Sequence, residues 1–168
     1  MEKKMLRQKL EETFESFWET TKGFFYSEEE VASFIFIIGV KAGRLAVLAA
    51  VPLSEGIHKF PQSIPLLCKK FNAVAGIVVG KAWMARLKHD EIVLEDIVPS
   101  KRPDRIEVLQ VTLVSKVLNK VRAWKMIREG KKHLEPLGDD DMIPIYSKFF
   151  GDYFNMDVPK SEGKEIKN

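Results

Sequence analysis

The sequence predicts an α+β domain of two layers, with elements in the order α-β-β-α-β-β-β-α and one mostly antiparallel sheet of five strands. Three observations point there. Apolar residues recur at helical spacing near both ends of the chain. Between the ends, β-branched and aromatic residues fall in short runs separated by Gly, Asn or charged turns. The 168 residues, 45% hydrophobic and 30% charged, suit one soluble domain that buries roughly 70% of its surface.

Residues 3–22 carry Leu6, Leu10, Phe14, Phe17 and Trp18 with charges between them, the period of an amphipathic helix that Gly23 would stop. Residues 31–40 are apolar and β-rich. Ser27-x-x-Glu30 fits a capping box and makes helix a rival over 28–40, but the hairpin-length connection Lys41-Ala42-Gly43 favours a strand. A second strand, 44–53, follows, and both are apolar on both faces, so each needs cover. Pro61 and Pro65 break the next stretch into a loop and a helix over 64–71, with Pro65 in a tolerated first turn. A strand over 74–87 leads into a charged, Pro-containing excursion over 88–105. Strands over 106–116 and 120–128 are joined by a turn near Val117-Leu118-Asn119. A last helix over 143–154 carries Tyr146, Phe149, Phe150, Tyr153 and Phe154. Residues 159–168 read as a disordered tail, leaving 1–158 as the single domain.

The stretch Ala82-Trp83-Met84, followed by Pro99-Ser100-Lys101-Arg102-Pro103-Asp104-Arg105-Ile106-Glu107-Val108-Leu109, resembles a pattern in small uncharacterised prokaryotic and phage-associated proteins. There an Ala-Trp strand precedes a Pro-Ser-x-x-Pro-Asp-Arg-x-Glu segment and another strand. The resemblance implies a strand, an excursion and a strand, and brings no activity with it. The element order also resembles roadblock or profilin-like modules, by topology alone.

A net charge of +3, from 27 basic and 24 acidic groups, is too balanced to mark a nucleic-acid binder by itself. The single Cys68 points to a reducing compartment. The charged amphipathic N-terminus is unlike a signal peptide, and the apolar runs over 31–40 and 45–53 are too short for a membrane helix. The expected location is the cytoplasm, without membrane contact. Three Gln and four Asn against abundant Lys and Glu lean towards a thermophilic source.

Phosphate-loop, dinucleotide-binding, nucleophile-elbow and zinc-protease signatures are missing from the sequence. Neither a cofactor nor a metal is expected. His58, His89, His133 and Cys68 lack ligand spacing for zinc, and Asp139-Asp140-Asp141 reads as a loop that caps the last helix. Two sets carry more. Pro103-Asp104 with Glu129-Gly130-Lys131 matches the pattern of Mg²⁺-dependent nucleases, in which two carboxylates hold the ion and a lysine positions the attacking water. Glu15, Glu55 or Glu95 could add a further acid. The competing account of Asp104, Glu129 and Lys131 is a set of cross-strand ion pairs. The second set lies in residues 116–133, with seven Lys or Arg against one Glu. Alternation puts Lys120, Arg122, Trp124 and Arg128 on one face, phosphate neutralisation around a stacking ring. The competing account is a solvated edge strand with Trp124 under its long side chains.

Thirteen of the 17 aromatic residues fall in 14–36 and 146–154. They can join the terminal helices across the sheet, form a dimer interface or line an apolar ligand pocket. Tyr146, Phe149, Phe150, Tyr153 and Phe154 are the interface candidates, because one uncovered sheet face would be closed most simply by a second copy. The function these observations favour is a non-catalytic protein-interaction or self-associating module, a homodimer. The alternatives are a nucleic-acid-binding protein using 116–133 and a Mg²⁺-dependent nuclease using Asp104, Glu129 and Lys131.

Overall fold

In a computed structural model that describes residues 1–27, 30–53, 63–84, 106–137 and 149–154, the elements run in chain order as α1 (Lys3–Ser27), β1 (Phe34–Lys41), β2 (Arg44–Pro52), α2 (Ser63–Phe71), β3 (Ala75–Met84), β4 (Ile106–Ser115), β5 (Lys120–Ile127) and β6 (His133–Pro136). The strands form one six-stranded sheet in the order β2-β1-β3-β4-β5-β6, and every neighbouring pair is antiparallel. The sheet therefore has one strand more than expected. β6 is four residues long, has His133 and Glu135 on one face and ends in Pro136. Such a short polar strand is tolerated at an edge and leaves almost no period to read. The excursion over 88–105, Asp104, residues 143–148 with Tyr146 and the tail over 159–168 lie outside the described residues.

Local chemistry accounts for most boundaries. On α1, Leu10, Phe14, Trp18, Thr21 and Phe25 are buried, a stripe at helical spacing. The helix passes Gly23, where it was expected to stop, because burying Phe25 is worth roughly 1.5–3 kcal/mol and an interior glycine costs only about 1 kcal/mol. Between β1 and β2, Ala42 and Gly43 both have positive φ, 51° and 75°, the pattern of a type I′ hairpin turn. α2 ends in a Schellman motif: the Ala73 amide donates to the Cys68 carbonyl at 2.9 Å and the Asn72 amide to the Lys69 carbonyl at 3.2 Å, with Asn72 at φ 51°. The β4–β5 turn is organised by Ser115, whose hydroxyl donates to the Leu118 carbonyl at 2.7 Å and accepts from the Leu118 amide at 2.8 Å.

Alternation sorts the sheet into two apolar faces. Ile38, Ala75, Ile77, Val79, Leu109, Val111 and Leu113 pack with Leu10, Phe14, Trp18 and Phe25 of α1. Ile35, Ile37, Val78 and Val114 pack on the other face with Ile64 and Cys68 of α2 and with Phe150 and Phe154. Both faces are thus covered within one chain, in three layers where two were expected. The two-layer expectation missed that β4 is buried at every position from Val108 to Ser115, so neither of its faces can be left to water.

The C-terminal aromatics reach the second face as a turn. Phe149 and Phe150 lie in a 3₁₀ turn, residues 151–154 turn onward, and Gly151 has φ 55°. Gly76 makes the seat: a Cβ there would run into the Phe150 ring. The Tyr153 hydroxyl donates to the Ala73 carbonyl at 3.0 Å beside it.

Two substitutions test this account. A Cβ at Gly23 would meet open space, so Gly23→Ala should raise stability in urea unfolding by about 0.5–1 kcal/mol; a loss would contradict a helix running to Ser27. Gly76→Ala should cost roughly 1–3 kcal/mol by overpacking. Adding Phe150→Leu should make the double variant less destabilised than the sum of the single changes.

Candidate functional site

Lys120, Arg122 and Trp124 do share one face of β5, and α1 packs on that face. Arg122 makes a two-pronged ion pair with Glu15, Nη1 to Oε2 and Nη2 to Oε1, both at 2.8 Å. Lys120 Nζ reaches Glu11 at 3.3 Å and Glu15 at 3.4 Å. The Arg122 guanidinium lies 5.2 Å from the Phe14 ring centroid and 5.5 Å from that of Trp18. Trp124 meets Trp18 edge to face, with centroids 5.0 Å apart at 71°. Arg128, one residue beyond the strand, pairs with Glu107 at 3.3 Å. The basic stripe is a seam between helix and sheet, and its tryptophan is half-buried against another indole.

Glu129 and Lys131 are exposed in the turn between β5 and β6, on either side of Gly130 at φ 70°. The Lys131 carbonyl is 2.8 Å from His133 Nδ1. Asp104, Glu55 and Glu95 lie outside the described residues, as do His58, His89 and Asp139 to Asp141, while Glu15 is committed to Arg122 and Lys120. Among the described residues no group of three His, Cys, Asp or Glu side chains is placed to hold a metal ion. Cys68 is fully buried, and burial pushes its thiol up to about 11, so it stays protonated near neutrality and is a weak nucleophile.

Of the aromatic interface candidates, Phe150 and Phe154 are buried and meet edge to face at 5.5 Å, and Tyr153 meets Phe154 at 4.8 Å. Phe149 and Tyr153 pack against the same cluster. These residues close the chain's own sheet.

Two surfaces stand out among the described residues. The first is the edge strand β2. From Leu45 to Val51 it has no charged or polar side chain, and Val47 is 49% exposed beside Val40 at 43%. The pairing with β1 slips between Ile37 and Ile38, leaving Leu48 as an extra residue between Val47 and Ala49, a bulge that bends the edge.

The second is a cavity of about 450 Å³ where the C-terminal turns of α1 cross β1, within the usual size range of ligand pockets. Phe17 and Phe24 form its helix side and Phe34 and Phe36 its sheet side, with Thr20, Thr21 and Glu30 as its polar side chains. Phe36 meets Phe17 at 5.0 Å and Phe34 at 5.7 Å. The Thr21 hydroxyl donates to the Phe17 carbonyl at 2.6 Å. Glu30 Oε2 accepts from Lys81 Nζ at 2.7 Å, and that contact holds the Glu30 carboxyl below its ordinary pKa. No short motif announces this pocket; its signal is the density of aromatic residues over 14–36.

The Arg122 hydrogen bonds are the main reason that Glu15 is lowered from 4.5 to about 2. A depressed carboxyl stabilises the fold above its unfolded value and loses that contribution as pH falls through its folded value. Stability should therefore fall between pH 4.5 and 2, modestly, because the Glu15 side chain is 47% exposed. Glu15→Gln should flatten the profile in that window, and an unchanged slope would contradict the ion pair.

The described residues include no helix long and apolar enough to cross a membrane. Among known proteins, the chain matches no family model, no curated protein and no solved structure.

Proposed function

We propose that this chain is a cytoplasmic interaction module that acts by association, not catalysis, and that it forms a homodimer by pairing β2 with the β2 of a second copy. The observation that carries this reading is the apolar β2 edge, which among the described residues pairs with β1 alone. A free strand edge presents unpaired amides and carbonyls, and natural proteins usually blunt such edges with inward charges or lysines. β2 has a bulge and a terminal Pro52, but no charge between Arg44 and Pro52.

Antiparallel addition of an identical strand about a two-fold axis satisfies the open backbone groups of both copies at once. It also brings a second copy's strand alongside the half-exposed Val47. The terminal aromatics, including Phe149, Phe150, Tyr153 and Phe154, are not needed for it, because they are used inside the chain.

Light scattering at micromolar concentration should give twice the 19.3 kDa of one chain. Val47→Lys should return the mass to that of a single chain with an unchanged far-ultraviolet circular dichroism spectrum. A single-chain mass for the unaltered protein, or a dimer that survives Val47→Lys, would overturn the reading.

A further inference from the structure

We propose that the cavity between α1 and β1 is a binding site for a hydrophobic organic cation, an ammonium or quaternary ammonium group on an apolar body. The site stands apart from the β2 edge and does not depend on dimer formation.

The pocket's chemistry selects the charge of its occupant. Four of its walls are the rings of Phe17, Phe24, Phe34 and Phe36. Aromatic faces carry negative quadrupole density and attract cations, with the largest gain where water is excluded. Of the three polar side chains at the cavity, Thr20 can donate or accept, and Thr21 and Glu30 are left to accept. Thr21 has given its hydroxyl hydrogen to the Phe17 carbonyl at 2.6 Å, which leaves only lone pairs for a ligand. Glu30 is ionised near neutrality and, among the described residues, engages Lys81 through Oε2 at 2.7 Å. Its other oxygen makes no hydrogen bond among the described residues, although the Arg128 charge also acts on the carboxylate. An anionic ligand would meet this carboxylate from the cavity side, because the cations that offset it, Lys81 and Arg128, are not among the lining residues. A wholly apolar ligand would leave the carboxylate unused.

Lys81 is then the internal competitor. It sits in the second half of β3, where Lys81 pairs with Leu109, on the strand that also places Val79 against the pocket. A ligand cation shares the Glu30 carboxylate with Lys81, so removing the lysine should favour the ligand.

The test uses benzyltrimethylammonium as probe, its neutral carbon isostere 2,2-dimethyl-3-phenylpropane and decanoate, followed by NMR shifts on the full chain. The expected result is saturable shifts with the ammonium probe and at least about tenfold weaker binding of the isostere and of decanoate. Glu30→Gln should weaken the ammonium probe by about tenfold and leave the isostere unchanged, whereas Lys81→Gln should strengthen the ammonium probe. Thr20 lines the pocket from an exposed helix position, so Thr20→Trp should block all three probes without unfolding the protein. Equal binding of the isostere, preference for decanoate, no saturable shift with any probe, or binding that persists in a folded Thr20→Trp variant would each overturn the proposal.

Discussion

β4 exposes nothing from Val108 to Ser115, and it lies between β3 and β5 near the middle of the sheet. A strand buried on both faces has to be covered from both sides, because leaving either face wet would forfeit roughly 25 cal/mol for every Å² of apolar surface. The positions of α1, α2 and the Phe149–Phe154 turn follow from that demand. So does the economy of polar groups inside: Gln110 and Thr112, both buried on β4, satisfy each other through a 2.8 Å hydrogen bond from the Thr112 hydroxyl. A buried hydroxyl or amide left alone would cost about 1–3 kcal/mol.

The two covers are built differently. α1 is anchored along β5 by charge and aromatic contact together, with Arg122 held by Glu15 and lying over Phe14 and Trp18. Further along, Phe17 crosses to Phe36 of β1, and the helix ends beside the aromatic cavity. The opposite cover is apolar throughout, with Ile64, Cys68, Phe150 and Phe154 against Ile35, Ile37 and Val78. One face of the sheet therefore carries the charged seam and the aromatic cavity, and the other carries mainly apolar packing around the Gln110–Thr112 hydrogen bond.

Much of this was legible in the residues. The hairpin Phe34–Pro52 follows from two apolar runs around Ala42-Gly43, the helix Ser63–Phe71 from Pro65 in its first turn, and the β4–β5 turn from the break at Val117 to Asn119. What escaped depends on contacts between distant segments. Gly23 looks like a stop until Phe25 is seen to be buried. Lys120, Arg122 and Trp124 form a basic aromatic stripe in either an exposed strand or a helix seam, and only Glu11, Glu15 and Trp18, about a hundred residues earlier, decide between them. The cavity has the same character, since Phe17, Phe24, Phe34 and Phe36 read equally well as core until the helix crossing leaves space between them. For Asp104 with Glu129 and Lys131, the structure describes only the last two, as exposed turn residues.

The strand order has a kinetic consequence. Four of the five pairings join strands that follow one another along the chain, and only β1 beside β3 breaks the succession. The sheet is therefore assembled mostly from neighbours in sequence, which favours rapid formation compared with Greek-key arrangements. The slow partner in this scheme is the first helix. Glu15 and Arg122 are 107 positions apart, and closing so long a loop carries an entropic cost that grows with the logarithm of its length. The helix can meet β1 early, through Phe17 and Phe36, but gains its charged seam only when β5 is in place to receive it.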